Sequence, residues 1–560
     1  MCGIFVSYGP DVNSLKHNKL TNMLYHRGPD NQENLLINKK LIFGHTRLCI
    51  IDPNENSNQP FKDGNSIVLF NGMIYNFLEI KSELKKKYNF ITKSDTEVIS
   101  AAYKIWGKNC FERLNGMFSI VIYDIKKNEI IVARDRLGIK PLYFRKINNN
   151  YYFSSEIKPL LKLAPYSQDF KTVFNYFKYS FYENNKDTFF KEIKQFLPSH
   201  HYTFKNNKIT LIKKYWSLEN KIDPKNKINS LHEAKEIFNG EFNRIKKYYI
   251  RSDKKIGLLY SSGLDSNFIL DLLNKDEKNI SLLLTFGYKA KNITDEINDL
   301  RNSNIKKYIH KFTINEFLKN ARNVQIEQEM PWGGPNVFFQ GSLLKKAKNL
   351  NHNVILSADG ADEIFGGYNK YINLGKINLD YINQAIDGSS PYEKELFKDN
   401  FFYKKNIKFD LPSKNKFDCA RYLDICFSKL PRNFRFSDRY SMGKSVELRY
   451  PFLDHNLIET SFRLNRKLMI SKNENKILLR QFFNNYSKKK HINSPQTQWF
   501  YDPRFKKKMS KICNDSPIFD KVLDKNKTKD YFNYFYKTQK NNSFKMWQIY
   551  NYDLWLKTFF

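Results

Sequence analysis

Ile256-Gly257-Leu258-Leu259-Tyr260-Ser261-Ser262-Gly263-Leu264-Asp265-Ser266 opens on an unbroken apolar run and closes on a short Ser/Gly loop. Apolar runs of this length, without alternation, mark strands buried on both faces. The apolar segment Phe268–Leu273 then begins a helix. A strand, a small-residue loop and a helix N-terminus place backbone N–H groups where phosphates can sit. The loop is not a Walker P-loop, because the Gly-Lys-Ser/Thr ending is missing. Taken alone, it is also compatible with an ordinary strand-to-helix connection, the lesser of the two readings. Leu282-Leu283-Leu284-Thr285-Phe286-Gly287 reads as the next strand of a parallel sheet. Val354-Ile355-Leu356-Ser357-Ala358-Asp359-Gly360-Ala361-Asp362-Glu363 repeats the plan with an acidic loop. The second half of the chain is therefore α/β.

Upstream the pattern changes. Leu41–Phe43, Ile67–Phe70, Phe118–Ile122 and Ile130–Val132 are β-branched or aromatic runs, with Lys126–Glu129 as a hairpin loop and a helical pattern over Phe77–Leu84. Such runs stack as two sheets with helices outside, an α+β first half. Polar groups interrupt them at Tyr25–Asp30, Gly44–Leu48, Asn71–Asn76 and Ser94–Glu97. Asn220–Asn229 is polar and turn-like and marks the boundary between halves. At the other end stands Met1-Cys2-Gly3-Ile4-Phe5. Removal of Met1 leaves Cys2 with a thiol and an α-amine whose pKa is about 7.7–8.0, a general base on the same residue.

Composition limits the alternatives. A chain of 560 residues is too long for one core, and a hydrophobic fraction of 41% with 16% aromatic supplies enough for two. Six cysteines without repeated spacing form no disulfide framework, and no paired Cys-x-x-Cys suggests zinc. The N-terminus lacks a signal peptide, and no segment reaches the ~18–20 apolar residues that cross a bilayer, so a cytoplasmic protein with no membrane partner is expected. The net charge of +37 raises the question of nucleic acid. Its lysines are spread along the whole chain with Asn, Tyr and Phe, which is a compositional bias rather than a binding stripe; no specific nucleic-acid partner is expected.

The N-terminal Cys2 followed in order by the four polar groups resembles the class II glutamine amidotransferase domain of the asparagine synthetase family, an N-terminal-nucleophile αββα fold. The loop at Ser261–Ser266 resembles that of ATP-pyrophosphatase (adenine nucleotide α-hydrolase-like) domains, and Ser357–Glu363 the family's Ser-Gly-Glu-Gly-Ser-Asp-Glu signature. Ser437–Asp454 and Lys476-Ile477-Leu478-Leu479-Arg480 match further family segments. The resemblance implies a glutaminase domain over 1–219 and a synthetase domain over 230–560.

It also implies roles. Cys2 attacks the glutamine side-chain amide; Asn71 and the Gly72 N–H form the oxyanion hole; Arg47 pairs with the substrate α-carboxylate as a bidentate fork and Asp95 with its α-ammonium. Tyr260, Ser261, Ser262, Gly263, Asp265, Ser266, Phe286, Ser357 and Ala358 hold ATP, while Asp265 and Asp362 bind Mg²⁺. Asp359 stands where the family has a carboxylate base for ammonia. Lys476 stabilises charge on the α-phosphate and pyrophosphate, and its i, i+4 spacing sets Arg480 on the same helical face. Five positions depart from the pattern: Met73 replaces Glu, Ser262 replaces Gly, and Ala358, Asp359 and Ala361 alter the signature. The implied reaction is glutamine-dependent, ATP-consuming amidation of aspartate to asparagine through an acyl-adenylate, giving AMP and pyrophosphate. The alternative is the same chemistry on another carboxylate, of a surface sugar or secondary metabolite. The partners are small molecules, and a homodimer is compatible with the family.

Overall fold

The computed structural model describes residues 2–179, 182–223, 225–261, 263–274, 279–287, 305–372, 374, 396–401, 409–482, 498–538 and 543–560. Met1 and Ser262 lie outside them, as does the side chain of Phe286.

The first half is two six-stranded antiparallel sheets. Its strands are β1 (Gly3–Tyr8), β2 (Asn31–Asn38), β3 (Leu41–Arg47), β4 (Phe61–Asp63), β5 (Ser66–Ile74), β6 (Gly116–Asp124), β7 (Glu129–Arg134), β8 (Tyr143–Ile147), β9 (Asn150–Ser154), β10 (Ile193–Gln195), β11 (His200–Lys205) and β12 (Lys208–Lys214). One sheet runs β10-β8-β9-β1-β3-β2 and the other β12-β11-β7-β6-β5-β4. Side chains alternate between faces along a strand, and the cores follow that period. Ile4, Val6, Leu41 and Phe43 meet Ile67, Leu69, Val121 and Val132 between the sheets. Phe5, Val68, Phe70, Ile120 and Ile122 point the other way, into the larger core that the helices cover. Both faces are thus buried, which is why the strands read as continuous apolar runs. The helix Asp95–Trp106 packs on β5 and is capped by the Ser94 hydroxyl, which accepts from Thr96 N–H.

The second half carries a parallel sheet, ordered β15-β14-β13-β16-β17, from β13 (Ile256–Leu259), β14 (Ile280–Gly287), β15 (Lys306–Lys311), β16 (Val354–Leu356) and β17 (Glu447–Arg449). Leu258 faces Leu283 on one side and Leu356 on the other. The chain moves outward from β13 through β14 to β15, then returns to place β16 on β13's far side. Ligands of open α/β sheets bind outside the strand C-termini at such a switch point. The loops after β13 and β16 lie there, and the helices that follow them carry Asp265 and Asp362 in their first turns. Among the described residues no helix is long and apolar enough to cross a membrane.

Candidate active sites

The first site forms where β1 and β5 begin and end. Cys2, 6% exposed, immediately precedes β1. Its backbone nitrogen donates to Asn71 Oδ1 at 3.0 Å, and its carbonyl accepts from Arg27 Nε at 3.0 Å. Because Oδ1 must face the Cys2 nitrogen, the orientation of the Asn71 amide is set. Its Nδ2 is then buried without a hydrogen-bond partner. A buried orphan donor needs a reason, and an oxyanion forming beside Cys2 supplies one. At the next residue, a Cβ would stand 2.0 Å from the Met117 carbonyl oxygen, so only glycine lets β5 run this close to β6 at Gly72. Met73 is 1% exposed within the core and presents no polar group to a substrate.

Arg47 differs from its expected state. Nη1 donates to the Asn54 carbonyl and Asn58 Oδ1, and Nη2 to the carbonyls of Ile51 and Asp52. The fork that was assigned to a substrate carboxylate is occupied by the loop that follows it, which leaves Nε–H or displacement of a carbonyl. Asp95 accepts from Ile74 N–H at 3.1 Å, leaving its second oxygen for a cation. Burial pushes its carboxyl up to about 7; the Ile74 bond opposes that rise, and the charge of Glu447 adds to it.

The second site gathers on Lys476. Its Nζ donates to Asp265 Oδ1 and Oδ2 at 2.8 and 2.6 Å and lies 2.7 Å from Asp362 Oδ1. Lys476 sits in the left-handed region at φ 53°, just before the helix Ile477–Gln481. This corrects the helical-face reading. Lys476 caps the helix rather than riding on it, and Arg480 turns away to bond the carbonyl and side chain of Asn475. Burial lowers the lysine's pKa, and the two carboxylates outweigh it and hold it above the ordinary value. A Cβ at Gly367 would fall 1.8 Å from Asp362 Oδ1, so glycine there makes the space.

In the loop after β13, the Ser261 N–H donates to Ser266 Oγ at 3.2 Å, and Ser266 Oγ and Asn267 Nδ2 both donate to the Gly263 carbonyl. The Tyr260 hydroxyl donates to Asn267 Oδ1 at 2.8 Å and its backbone N–H to the Leu284 carbonyl at 2.8 Å. Ser357 continues β16; its N–H donates to the Arg449 carbonyl, and its hydroxyl to Asp359 Oδ2 at 2.9 Å. Burial raises the Asp359 carboxyl; the Ser357 bond opposes this, and the charge of Asp362 adds to it. Ala358 is half-buried against the core, and Phe286 lies near the end of β14, the strand beside β13.

Sequence reasoning passed over Arg27, although it stands in the quoted Tyr25–Asp30 group. Its guanidinium is fully buried. Besides holding the Cys2 carbonyl, Nη1 donates to Glu156 Oε1 and Asp438 Oδ2, and Nη2 to Asp438 Oδ1. Lys140 and Arg439 also approach Asp438, Lys158 pairs with Glu156 at 2.7 Å, and Arg439 with Glu329 at 2.8 Å. Burial raises Asp438, and Arg27, Lys140 and Arg439 outweigh it and hold the carboxyl below the usual range. The signal available beforehand was only an arginine next to Gly-Pro, and its partner lies 411 residues away.

Comparison with known proteins follows this geometry. Residues 1–216 match the glutamine amidotransferase domain family, and residues 243–557 match the asparagine synthase family. Glutamine-hydrolyzing asparagine synthetase 1 of Bacillus subtilis is 27% identical over 521 residues, 83% of this chain and 80% of that protein. Its asparagine synthetase 3 is 26% identical over 529 residues, 86% and 84% respectively. An amidase of Penicillium rubens, chyE, is 27% identical over 382 residues, 64% of this chain and 56% of that protein.

Proposed function

Since the chain belongs to the asparagine synthase family, we propose that it makes amides from a carboxylate with nitrogen taken from glutamine, at the expense of ATP. In this reading residues 1–219 form an N-terminal-nucleophile glutaminase and residues 230–560 an adenine nucleotide α-hydrolase-like synthetase. One observation carries it: a single chain holds both a buried N-terminal thiol beside an unsatisfied amide donor and a lysine gripped by two carboxylates at a parallel-sheet switch point.

At the first site the freed amine of Cys2 takes the thiol proton and Sγ attacks the glutamine amide carbon. Asn71 Nδ2 and the Gly72 N–H receive the oxyanion, and ammonia leaves as the thioester forms. Water then hydrolyses the thioester to glutamate. Asp95 pairs with the substrate ammonium. Ammonia moves internally to the second site, where the carboxylate has been adenylated because a free carboxylate is a poor acyl donor. Its attack on the acyl carbon expels AMP, with Asp359 taking a proton. The loop Ser261–Ser266 holds the pyrophosphate, with Tyr260, Phe286, Ser357 and Ala358 around the nucleotide, and Lys476 meets the charge on the α-phosphate.

The donor set suits Mg²⁺, since two carboxylates already converge on one cationic nitrogen. Among the described residues no group of three or more His, Cys, Asp or Glu could hold a metal ion; phosphate oxygens and water would complete the shell. When bound, the ion neutralises phosphate charge; Asp265 and Asp362 would hold it.

Aspartate is the first acceptor we propose. The shortened Asp359, together with the likeness to the Penicillium amidase, favours a second reading in which another carboxylate is amidated. A screen of carboxylates for glutamine-dependent pyrophosphate release, with aspartate first, decides between them. Release with aspartate supports the first, release only with another acid the second, and none with any acid refutes both.

The buried Asp95 gives a pH signature. Its pKa of about 7 lies well above the ordinary value, so the carboxylate is lost as pH falls through neutrality. The kcat/KM for glutamine should therefore decline on the acid side with an apparent pKa near 7, a value that reports the free enzyme. Asp95→Asn keeps the Ile74 bond but not the charge. It is expected to raise the glutamine KM about tenfold or more and to remove that acid limb. A pH profile with the limb intact in Asp95→Asn would assign it to another group.

A further inference from the structure

One short segment from the other half of the chain, Tyr249-Ile250-Arg251-Ser252-Asp253, holds two stretches that adjoin the residues assigned to glutamine. The first is the loop after β3, where the carbonyls of Ile51 and Asp52 accept from Arg47. Asp253 grips that loop twice: its N–H donates to the Ile50 carbonyl at 3.0 Å, and its Oδ2 accepts from the Asp52 N–H at 2.8 Å. Asp52 stands at φ 50°, a left-handed conformation that a non-glycine residue keeps only when its surroundings impose it. The Ser57 hydroxyl and Lys93 N–H, both donating to Asp52 Oδ2, restrain it as well.

The second is Tyr75, which follows Ile74, the residue whose N–H donates to Asp95. Its ring stacks on Tyr249 with centroids 4.1 Å apart. Its carbonyl accepts from Arg251 Nη1, and Arg251, 9% exposed, also forms a bidentate pair with Glu79 at 2.7 Å on each arm.

The segment is itself anchored in the second half. Arg449, fully buried at the end of β17, donates from Nη1 to the carbonyls of Tyr249 at 2.9 Å and Arg251 at 2.7 Å, while its own carbonyl accepts from Ser357 N–H. Three residues after Asp253 the chain enters β13, which ends at the Ser261–Gly263 loop. Nothing in the glutaminase chemistry requires these contacts.

We infer that Arg251 and Asp253 are positioning residues for glutamine, through which the synthetase half of the chain sets the residues assigned to glutamine in place; this rests on the glutaminase reading given above. They touch no reacting atom. Arg251 fixes Tyr75 beside the Ile74 N–H that holds Asp95, and Asp253 fixes the loop whose carbonyls orient Arg47. Their loss loosens substrate binding while the nucleophile, the oxyanion donors and the synthetase site stay as they are.

The test uses the full chain. Glutamate release is followed over a range of glutamine concentrations, and ammonium-dependent pyrophosphate release is followed in parallel. The proteins compared are the wild type, Arg251→Ala, Asp253→Ala and Asp253→Asn. Arg251→Ala is expected to raise the glutamine KM about tenfold and Asp253→Ala, a surface change that leaves the core alone, about threefold, with kcat within about twofold. Asp253→Asn keeps an oxygen to accept from Asp52 and should restore the wild-type KM. Ammonium-dependent release should be unchanged in all three. An unaltered KM in both alanine variants overturns the inference, and so does a fall shared equally by kcat and the ammonium reaction. A wild-type protein that released no glutamate would overturn the glutaminase reading and this inference with it, whereas a normal wild type with indifferent variants sinks the inference alone.

Discussion

Cys2→Ala is expected to release no measurable glutamate from glutamine, a fall of about 10⁴-fold or more, while making amide and pyrophosphate from ammonium at the rate of the unmodified protein. The substitution deletes one sulfur atom and little else. Alanine retains the backbone nitrogen that donates to Asn71 Oδ1 and the carbonyl that accepts from Arg27, and its Cβ occupies the same buried position. The fold and the oxyanion donors should persist, so the loss reports nucleophilic attack alone. Glutamate assays with and without ATP, beside ammonium-driven pyrophosphate release, separate the two activities. If both fall together, the two sites do not work as separate chemistries. If glutamate still appears, another group is the nucleophile.

Lys476→Ala should give the mirror image: pyrophosphate release down by about 10²–10³-fold with either nitrogen source, and glutamate release intact. The Lys476 ammonium pairs with both Asp265 and Asp362, and it would face the charge that develops on the phosphates. Removing it also leaves two carboxylates facing each other. Their side chains are 22% and 35% exposed, so water screens most of that repulsion. The melting temperature should therefore move little, and a thermal scan beside the pyrophosphate assay distinguishes lost chemistry from lost structure. Retained pyrophosphate release would remove Lys476 from the mechanism.

The strands were legible because burial writes itself into composition. Ile67–Phe70 is apolar without a break, and Phe118–Ile122 is interrupted only by the buried Ser119, since β5 and β6 have a sheet on one face and helices on the other. The helix Phe77–Leu84 likewise shows the period its core side requires. The candidate residues around Cys2 were readable for a different reason: they flank strand ends in an order that recurs in a known family. What stayed hidden was decided by partners far away or by backbone conformation. Lys476 leaves the helical pattern because Asp265, 211 residues earlier, draws its side chain. The fork of Arg47 is filled by carbonyls of a turn, and carbonyls leave no trace in residue identity. Arg27 and Asp438 form one ion pair from opposite ends of the chain, and neither motif names the other.

That pairing of Arg27 with Asp438 has an engineering consequence. A fragment ending near residue 219 would keep Arg27, Lys140 and Lys158 but shed Asp438 and Glu329, stranding cations in an apolar surface newly opened to water. The guanidinium that braces the nucleophile's own carbonyl would then lose its bidentate partner. The two halves are therefore poor candidates for swapping as independent cassettes, and a chimaera built at the junction must carry both sides of this ionic knot from one parent.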